Sequence, residues 1–494
     1  MANNTDQILY WNEVALEANK VSHSNGMNEQ TGPPLSSRAL AMVHLAMYDA
    51  YVGTTPGTTL PVYLTGPVSP LGISDRDTAI ATAACTMLSK LYPSQTAFFK
   101  KKYSEAKLDD SIGIGGHTFG VFVTHELWKD RKNDPNANDD SYIQSVAKGY
   151  HRNDPSNDQG SHAPFYGKES KCFAVTQSWA LDPHPTLSSG DYQNALKQVI
   201  AKGIAPELIG TLPQTLANRR RTMEEELIGI FWGYDGAVDL GTPPRLYNQL
   251  LREISCKMSS NIDTNVLLFT MANVAMGDAG ILAWEQKYVY NHWRPVVGVR
   301  EHDISMGYSD TANNDIDNLC RINWLPLGAP KTNVKDGRNF TPDFPAYPSG
   351  HATFGAAALE IARLIYAAPA DPAGINVVNG IDFISDEFNG VSKDNKGTTR
   401  PRHVRNFPGG IKQMIFENGL SRVFLGVHWY YDAFGVHPGA FGNASDGGKE
   451  ITINEAMMEP SGATSVGVGG VPLGIAIARD IFNNGIKLST AHTI

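Results

Sequence analysis

This 494-residue sequence shows no cysteine spacing typical of disulfides. It also shows no leader segment and no apolar run long enough to span a membrane. The four cysteines lie far apart without a CxxC pair, which excludes a disulfide framework and predicts buried free thiols: Cys85, Cys172, Cys256 and Cys320. Residues 1–13 have no basic n-region or apolar core, so no signal peptide is visible. We also see no apolar run of membrane-spanning length. We therefore expect a soluble protein. The sequence leaves its cellular compartment undecided.

Excess positive charge is missing as well. The formal net charge is -9, with 18% charged and 41% hydrophobic residues. An acidic chain of ordinary globular composition is a poor partner for nucleic acid or an anionic membrane, so we expect neither as the main partner. A functional role for basic residues is therefore expected only where several of them cluster in one place, despite the negative net charge of the protein.

Alternating strand patterns are scarce, and helical periodicity predominates. The pattern predicts helices at 36–51, 74–91, 115–130, 191–202, 222–234, 243–258, 263–293 and 352–366, and another that begins at Ser94. Some of them begin with a capping residue or with proline in the first turn. Ser74 is the expected N-cap of the second of these helices. We predict an all-α protein of two packed helical bundles joined by long loops. The expected regions are 1–160 and 161–494, or one continuous compact domain.

Two cations lie near the end of the longest predicted helix. Lys287 and Arg294 are seven residues apart, which on a continuous helix places them on nearly one face, and Pro295 would end that helix. Together they could hold opposite sides of an oxyanion, since the arginine fork matches such oxygens. Alone, this pair is also typical of a solvated helix face.

A helix start follows at the sequence Pro348-Ser349-Gly350-His351. Ser349 is placed as the N-cap, and Gly350 leaves its N–H open at the positive end of the helix dipole. His351 in the first turn could exchange a proton with an anion bound there. An ordinary capping serine beside an incidental histidine has the same sequence.

The third stretch carries Arg422, His428 and Asp432, with Gly426 between the first two. A continuous helix would turn Arg422 and His428 about 240° apart, so we expect a break at Gly426 that brings both to one site. Asp432 could orient the ring of His428 so that one nitrogen faces a metal or phosphoryl centre. A lone histidine is otherwise more often structural.

In this order the stretches read K-x6-RP, PSGH and SR-x3-G-x-H-x3-D. The combination resembles the signature shared by vanadium-dependent haloperoxidases and the type-2 phosphatidic acid phosphatase group. Segments such as FPAYPSGHATFG and ENGLSRVFLGVHW further resemble fungal-type vanadium chloroperoxidases, over roughly residues 160 to 490. The resemblance implies an enzyme that uses hydrogen peroxide to oxidise chloride or bromide to hypohalous acid, which halogenates organic acceptors.

The resemblance also implies a role for each motif residue. The oxygens of orthovanadate would be bound by five groups: Lys287, Arg294, Ser349, the amide of Gly350 and Arg422. His428 would be the axial ligand of vanadium and His351 the acid–base residue. Asp235 matches the acid that pairs with the second arginine, here Arg422.

Two aromatic positions bear on the halide. Phe344, five residues before Ser349, and Trp284, one turn before Lys287, resemble the chlorinating members, since a histidine at the first position is a bromoperoxidase trait. An apolar niche would accept a weakly hydrated halide, although both rings could equally be core residues.

Two other functions are compatible with these motifs. A soluble acid phosphatase would use His428 as a nucleophile that forms phosphohistidine and His351 as the acid for the leaving alcohol. A helical protein that only binds phosphate or sulfate is a third reading, with no need for two placed histidines. The oligomeric state stays open, because the N-terminal helices could pair within one subunit or between subunits.

Overall fold

The computed structural model describes residues 6–64, 75–106, 108, 115–134, 142–155, 163, 166–302, 321–435, 455–462 and 465–491. These residues fold into sixteen α-helices, numbered in chain order: α1 Gln7–Ser22, α2 Pro33–Thr54, α3 Arg76–Leu91, α4 Thr96–Glu105, α5 Gly115–Arg131, α6 Tyr166–Glu169, α7 Gly190–Lys202, α8 Gln214–Ala217, α9 Met223–Phe231, α10 Pro243–Lys257, α11 Ile262–Tyr290, α12 Pro295–Gly298, α13 Gly350–Tyr366, α14 Ile375–Val378, α15 Gly410–Phe424 and α16 Gly470–Asn484. Short 3₁₀ turns lie between them, including Asp386–Phe388 and Tyr430–Asp432. Across these ranges extended backbone forms isolated bridges only and no strand. The predicted all-α class is confirmed.

Helix α11 is the centre of the molecule. It packs against α2 on one side and against α13 and α16 on another. Close contact is possible because Gly277 faces Phe173 and Ala41, where a Cβ atom would lie 2.9 Å and 3.2 Å away. A helix that is apolar on every face belongs in a core.

By length and composition the same helix could cross a membrane, contrary to our reading of the sequence. Of its most apolar window, however, 94% is buried inside the protein. Burial of this extent is what a core helix requires, because its apolar surface is already removed from water by α2, α13 and α16.

The N-terminal region packs directly on the rest of the chain. Besides the α2–α11 contact, α1 packs against α10 and α11. Asn12 of α1 donates to Asn248 of α10 at 2.9 Å in the buried interior. The boundary predicted at residue 160 lies outside the described residues, and the division into two regions stays a prediction.

Two smaller expectations need correction. Asp75, rather than Ser74, caps α3, since its carboxylate accepts from the N–H groups of Asp77 and Thr78. Of the described cysteines only Cys172 is buried. Cys85 is half-buried and Cys256 is exposed, and all three are free thiols. Cys320 lies outside the described residues.

Candidate active site

Lys287 lies in the last turn of α11, whereas Arg294 lies beyond the end of that helix. The helix ends at Tyr290, and Asn291 adopts a left-handed conformation with φ of 48°. Arg294 is the N-cap of α12. The seven-residue spacing is therefore no helical spacing, and the prediction of one shared helix face was wrong: the turn at Asn291 brings Arg294 to the site.

Lys287 is fully buried and binds a loop. Its ammonium donates to the carbonyl of Pro345 at 2.8 Å, to that of Ala346 at 3.1 Å and to that of Pro348. These bonds use all three donors of the ammonium and fix the loop that leads to Ser349. Burial, and then the neighbouring Arg294, holds the pKa of Lys287 well below its usual range.

Arg294 is buried and joins the other two motifs. Nε donates to the carbonyl of Phe344 and Nη1 to that of Val427, both at 2.8 Å. Nη1 also lies 2.8 Å from Nε2 of His428. Burial lowers the pKa of Arg294 to about 9, so the guanidinium stays protonated at neutral pH.

The start of α13 has the predicted form. Ser349 is the N-cap, with its Oγ 3.4 Å from the N–H of Ala352, and its own N–H donates to the carbonyl of Asp432 at 2.8 Å. Gly350 is the first helical residue, so its N–H has no partner within the helix. A Cβ atom at Gly350 would lie 3.1 Å from the ring of Trp284, which favours glycine here.

His351 lies in the first turn of α13 and is buried. Its Nε2 is 3.9 Å from Oδ1 of Asp235 and has no hydrogen-bond partner. Its carbonyl accepts from Tyr247 at 3.0 Å and from Asn418 at 2.8 Å. Burial, and then Arg422, holds the pKa of His351 well below its usual range, so the ring is neutral at neutral pH in this state.

Arg422 and Asp235 form the expected pair. The two terminal nitrogens of Arg422 each donate to one oxygen of Asp235 at 2.8 Å, in a bidentate arrangement. Burial raises the pKa of Asp235, and Arg422 opposes that rise. Nε of Arg422 is buried without a partner.

The chain breaks where Gly426 predicted a break. Helix α15 ends at Phe424, and Gly426 has φ of +73°. A Cβ atom there would lie 2.5 Å from the carbonyl oxygen of Gly203. Only glycine combines this backbone conformation with such a close approach, and the turn brings His428 beside Arg294.

Asp432 orients His428. Oδ2 of Asp432 lies 2.8 Å from Nδ1 of His428 and accepts from the N–H of Trp429 at 2.9 Å. Because Arg294 can only donate, Nε2 of His428 must accept, and its proton is on Nδ1. Burial, and then Arg294, holds the pKa of His428 well below its usual range, and burial raises that of Asp432 to about 7.

Trp284 and Phe344 form one wall of the pocket. Their ring centroids are 4.9 Å apart. The ammonium of Lys287 lies 5.5 Å and 5.2 Å from the two centroids, and the guanidinium of Arg294 lies 4.9 Å from that of Phe344. Two buried cations thus face one aromatic wall, which favours them electrostatically.

Sequence reasoning missed three residues of the pocket wall: Pro33, Pro342 and Phe354. Pro33 is the first residue of α2, so the N-terminal region contributes to the site. No motif marks it. Phe354 follows Ser349 by five residues and could have been expected on the same side of α13 as Gly350.

The residues fit a tetrahedral oxyanion. Besides Nε2 of His351 and Nε of Arg422, Nη2 of Arg294 is buried without a partner. Unsatisfied buried donors are costly, so the two arginine nitrogens indicate a missing acceptor. Three buried cations face the carboxylates of Asp235 and Asp432, whose side chains are also largely removed from solvent. Nε2 of His428, whose lone pair accepts from Arg294 in this structure, adds a possible ligand for a metal in that anion.

Comparison with known proteins identifies relatives over nearly the whole chain. The family model for the vanadium chloroperoxidase N-terminal domain matches residues 1–159, and that for the VCPO second helical-bundle domain matches residues 267–438. The vanadium chloroperoxidase of Curvularia inaequalis is 35% identical, over 98% of this chain and 90% of that protein.

Solved structures share the fold. A bacterial vanadium-dependent iodoperoxidase superimposes with a TM-score of 0.64 at 17% identity, over 99% of both chains. The apo form of a bacterial vanadium-dependent chloroperoxidase gives 0.58 at 14% identity, over 92% of this chain and 94% of the other. At these identities the likeness concerns the fold alone.

Proposed function

The chain belongs to the vanadium chloroperoxidase family and is a vanadium-dependent haloperoxidase, and we propose that the pocket between α11, α13 and α15 is its vanadate site. Lys287, Arg294, Arg422, Ser349 and the amide of Gly350 would bind the vanadate oxygens, and His428 would bind vanadium through Nε2. The observation that carries this assignment is the pair of buried, unpartnered donors on Arg294 and Arg422, beside the unpartnered Nε2 of His351.

Bound vanadate supplies a Lewis-acidic centre that activates hydrogen peroxide towards halide. The chain supplies charge and position. Arg294 and Arg422 would offset the charge of the anion at buried positions, where such interactions are stronger than in water. For Lys287 to donate to a bound oxygen, it must release one of its three loop carbonyls.

His351 is the proposed proton carrier. Its neutral Nε2 can accept a proton from peroxide and return it to the departing oxygen. A bound anion would raise the low pKa of this ring, because a nearby negative charge favours the charged form. The ring would then titrate closer to neutral pH, as proton exchange requires.

In this proposal the halide binds next to the aromatic wall formed by Trp284 and Phe344. Both chloride and bromide are expected substrates. Released hypohalous acid then halogenates organic acceptors in solution, so the pocket needs no specific acceptor site. Among the residues that line the pocket, Trp284 also has a buried indole N–H without a partner.

Vanadate-loaded enzyme assayed with peroxide and bromide tests the proposal against the phosphatase alternative, which the family does not favour. Halide oxidation that depends on added vanadate is the expected result. The vanadate-free enzyme should be assayed in parallel with para-nitrophenyl phosphate. Rapid phosphate release without any halide oxidation would contradict the proposal and return His428 to the role of a nucleophile.

A further inference from the structure

Two loops beside the pocket carry a strong positive charge on an otherwise acidic protein. Residues 331–340 and 391–402 together contain seven lysines and arginines against two aspartates, whereas the whole chain has a net charge of -9. Six of these cations have exposed side chains: Lys331, Lys335, Arg338, Lys393, Lys396 and Arg402. We call the two loops the basic patch.

The loops are held together by backbone hydrogen bonds. The N–H of Asn333 donates to the carbonyl of Lys393 at 2.9 Å, and that of Asp336 donates to the carbonyl of Asn395 at 2.8 Å. The side chain of Asn333 accepts from the N–H of Lys393 at 2.9 Å. The cations therefore have fixed positions at their backbones and form one surface.

The exposed charges are not neutralised. In the described part of the chain none of the six forms an ion pair within 4 Å, in contrast to Arg400, which binds the buried Glu387. The carboxylate of Asp394 accepts hydrogen bonds from the N–H groups of Lys396 and Thr398, both at 2.9 Å, within its own turn. The patch keeps a surplus of positive charge.

The patch continues directly into the pocket. Arg338 lies four residues before Pro342, which lines the pocket, so their Cα atoms are at most about 14 Å apart. The ammonium of Lys331 lies 5.2 Å from the ring centroid of Phe340, two residues before Pro342. Pro342 and then Phe344 carry the chain into the aromatic wall.

We propose that the basic patch concentrates halide anions at the mouth of the pocket and thereby lowers the KM for halide. The inference rests on the proposed function. An acidic protein repels anions, and a local positive surface reverses that effect within about one Debye length. Six exposed cations less the two aspartates, Asp336 and Asp394, leave four unbalanced charges. Four charges at a distance of about 15 Å from an anion would raise its local concentration about threefold at 10 mM ionic strength and less than twofold at physiological ionic strength.

The test is the triple variant K331Q/K335Q/R338Q, fully loaded with vanadate. Its matched control, K100Q/K129Q/K132Q, removes the same charge from exposed positions on α4 and at the end of α5. At 10 mM ionic strength we expect the patch variant to raise the KM for bromide about two- to threefold with kcat unchanged. The KM for hydrogen peroxide should not change, because peroxide is neutral. The difference should disappear at high ionic strength.

An unchanged KM for bromide in the folded patch variant would overturn the proposal, even if the variant bound an anionic resin less tightly. An equal rise in the control variant would also overturn it, since only total charge would then matter. Wild-type enzyme that oxidises no halide at all would instead contradict the proposed function. The two failures are therefore distinguishable.

Discussion

Nη1 of Arg294 lies 2.8 Å from Nε2 of His428, the nitrogen proposed to bind vanadium. The guanidinium occupies the lone pair that a metal would need. Since Nδ1 of the same ring bonds Asp432 at 2.8 Å, the ring already has the correct tautomer and orientation. At this histidine, binding of vanadate would require Arg294 to move its donor from the ring to the anion.

Asp432→Asn should weaken vanadate binding roughly 10- to 100-fold, because such partners fix the tautomer and basicity of a metal-bound histidine. The amide oxygen can replace Oδ2, which serves both Nδ1 of His428 and the N–H of Trp429, but the amide lacks the negative charge that makes the ring a stronger ligand. Equilibrium dialysis with vanadate measures the effect. Asp371→Asn, which changes a carboxylate that binds the backbone of Ile375 and Asn376, is the control. Unchanged affinity in Asp432→Asn would contradict the orienting role.

His351→Ala should retain vanadate and lose most halide oxidation. In this structure Nε2 of His351 makes no bond that holds another site residue in place, so its loss removes a proton carrier rather than the binding geometry. Removal of a general acid–base group typically costs 10²- to 10⁴-fold in rate. Dialysis with vanadate and steady-state bromide oxidation separate the two effects. An equal loss of vanadate binding would count against the assignment.

Two backbone features of the motifs could be predicted because each depends on nearby residues only: the capped helix start at Ser349 and the glycine break at Gly426. The assignment of the site itself stays a proposal. The predicted position of Arg294 was wrong because it depends on the turn at Asn291. No sequence pattern predicts the left-handed conformation of that residue. Helices α15 and α16 are not among the helices that the sequence pattern predicted.

Pocket residues from distant parts of the chain could not be predicted. Pro33 reaches the site only because α2 packs along α11, where Ser37 contacts the position of Gly280. Neither residue shows a signal beyond helix formation. The pairing of Arg422 with Asp235 came from family resemblance, because 187 residues separate them and no spacing rule connects such positions.

Asp235→Ala should destabilise the fold by about 3–5 kcal/mol, because it leaves the buried charge of Arg422 without its partner. Denaturant unfolding measures the change. Glu13→Ala is the matched control: Glu13 has a side chain 71% exposed, and its ion pair with Arg252 should contribute no more than about 1 kcal/mol. An equal loss in the free energy of unfolding in the two variants would refute the view that the buried ion pair of Asp235 contributes more to stability than an exposed one.

The contribution of His44 to stability should fall as the pH drops below about 6.5. Burial lowers the pKa of His44 to about 4 from an ordinary value of 6.5, and both ring nitrogens are bonded, to Leu40 and Asn12. Between these values the unfolded chain binds more protons, so up to about 3 kcal/mol present above pH 6.5 is lost towards pH 4. Asp278, with a pKa raised to about 6, acts in the opposite direction.

The variant His44→Gln isolates this contribution. It should lose about 2–3 kcal/mol less than the wild type between pH 7 and pH 4.5, whatever its stability at neutral pH. Urea unfolding at both pH values gives the difference. His403→Gln, at a partly exposed ring, should behave like the wild type. Parallel pH dependence in His44→Gln and the wild type would show that His44 does not control the acid sensitivity.

The aromatic wall should decide the choice of halide. We expect the wild type to halogenate monochlorodimedone with chloride and with bromide, and Phe344→His to lose about tenfold more activity with chloride than with bromide. The reason is that Phe344 faces the cations of both Lys287 and Arg294, and an imidazole there replaces an apolar surface with a hydrated one. Phe354→Leu keeps the wall apolar and should affect both halides alike. Bromide-only activity in the wild type would refute the chloride prediction, and an unchanged halide ratio in Phe344→His would remove Phe344 from the halide site.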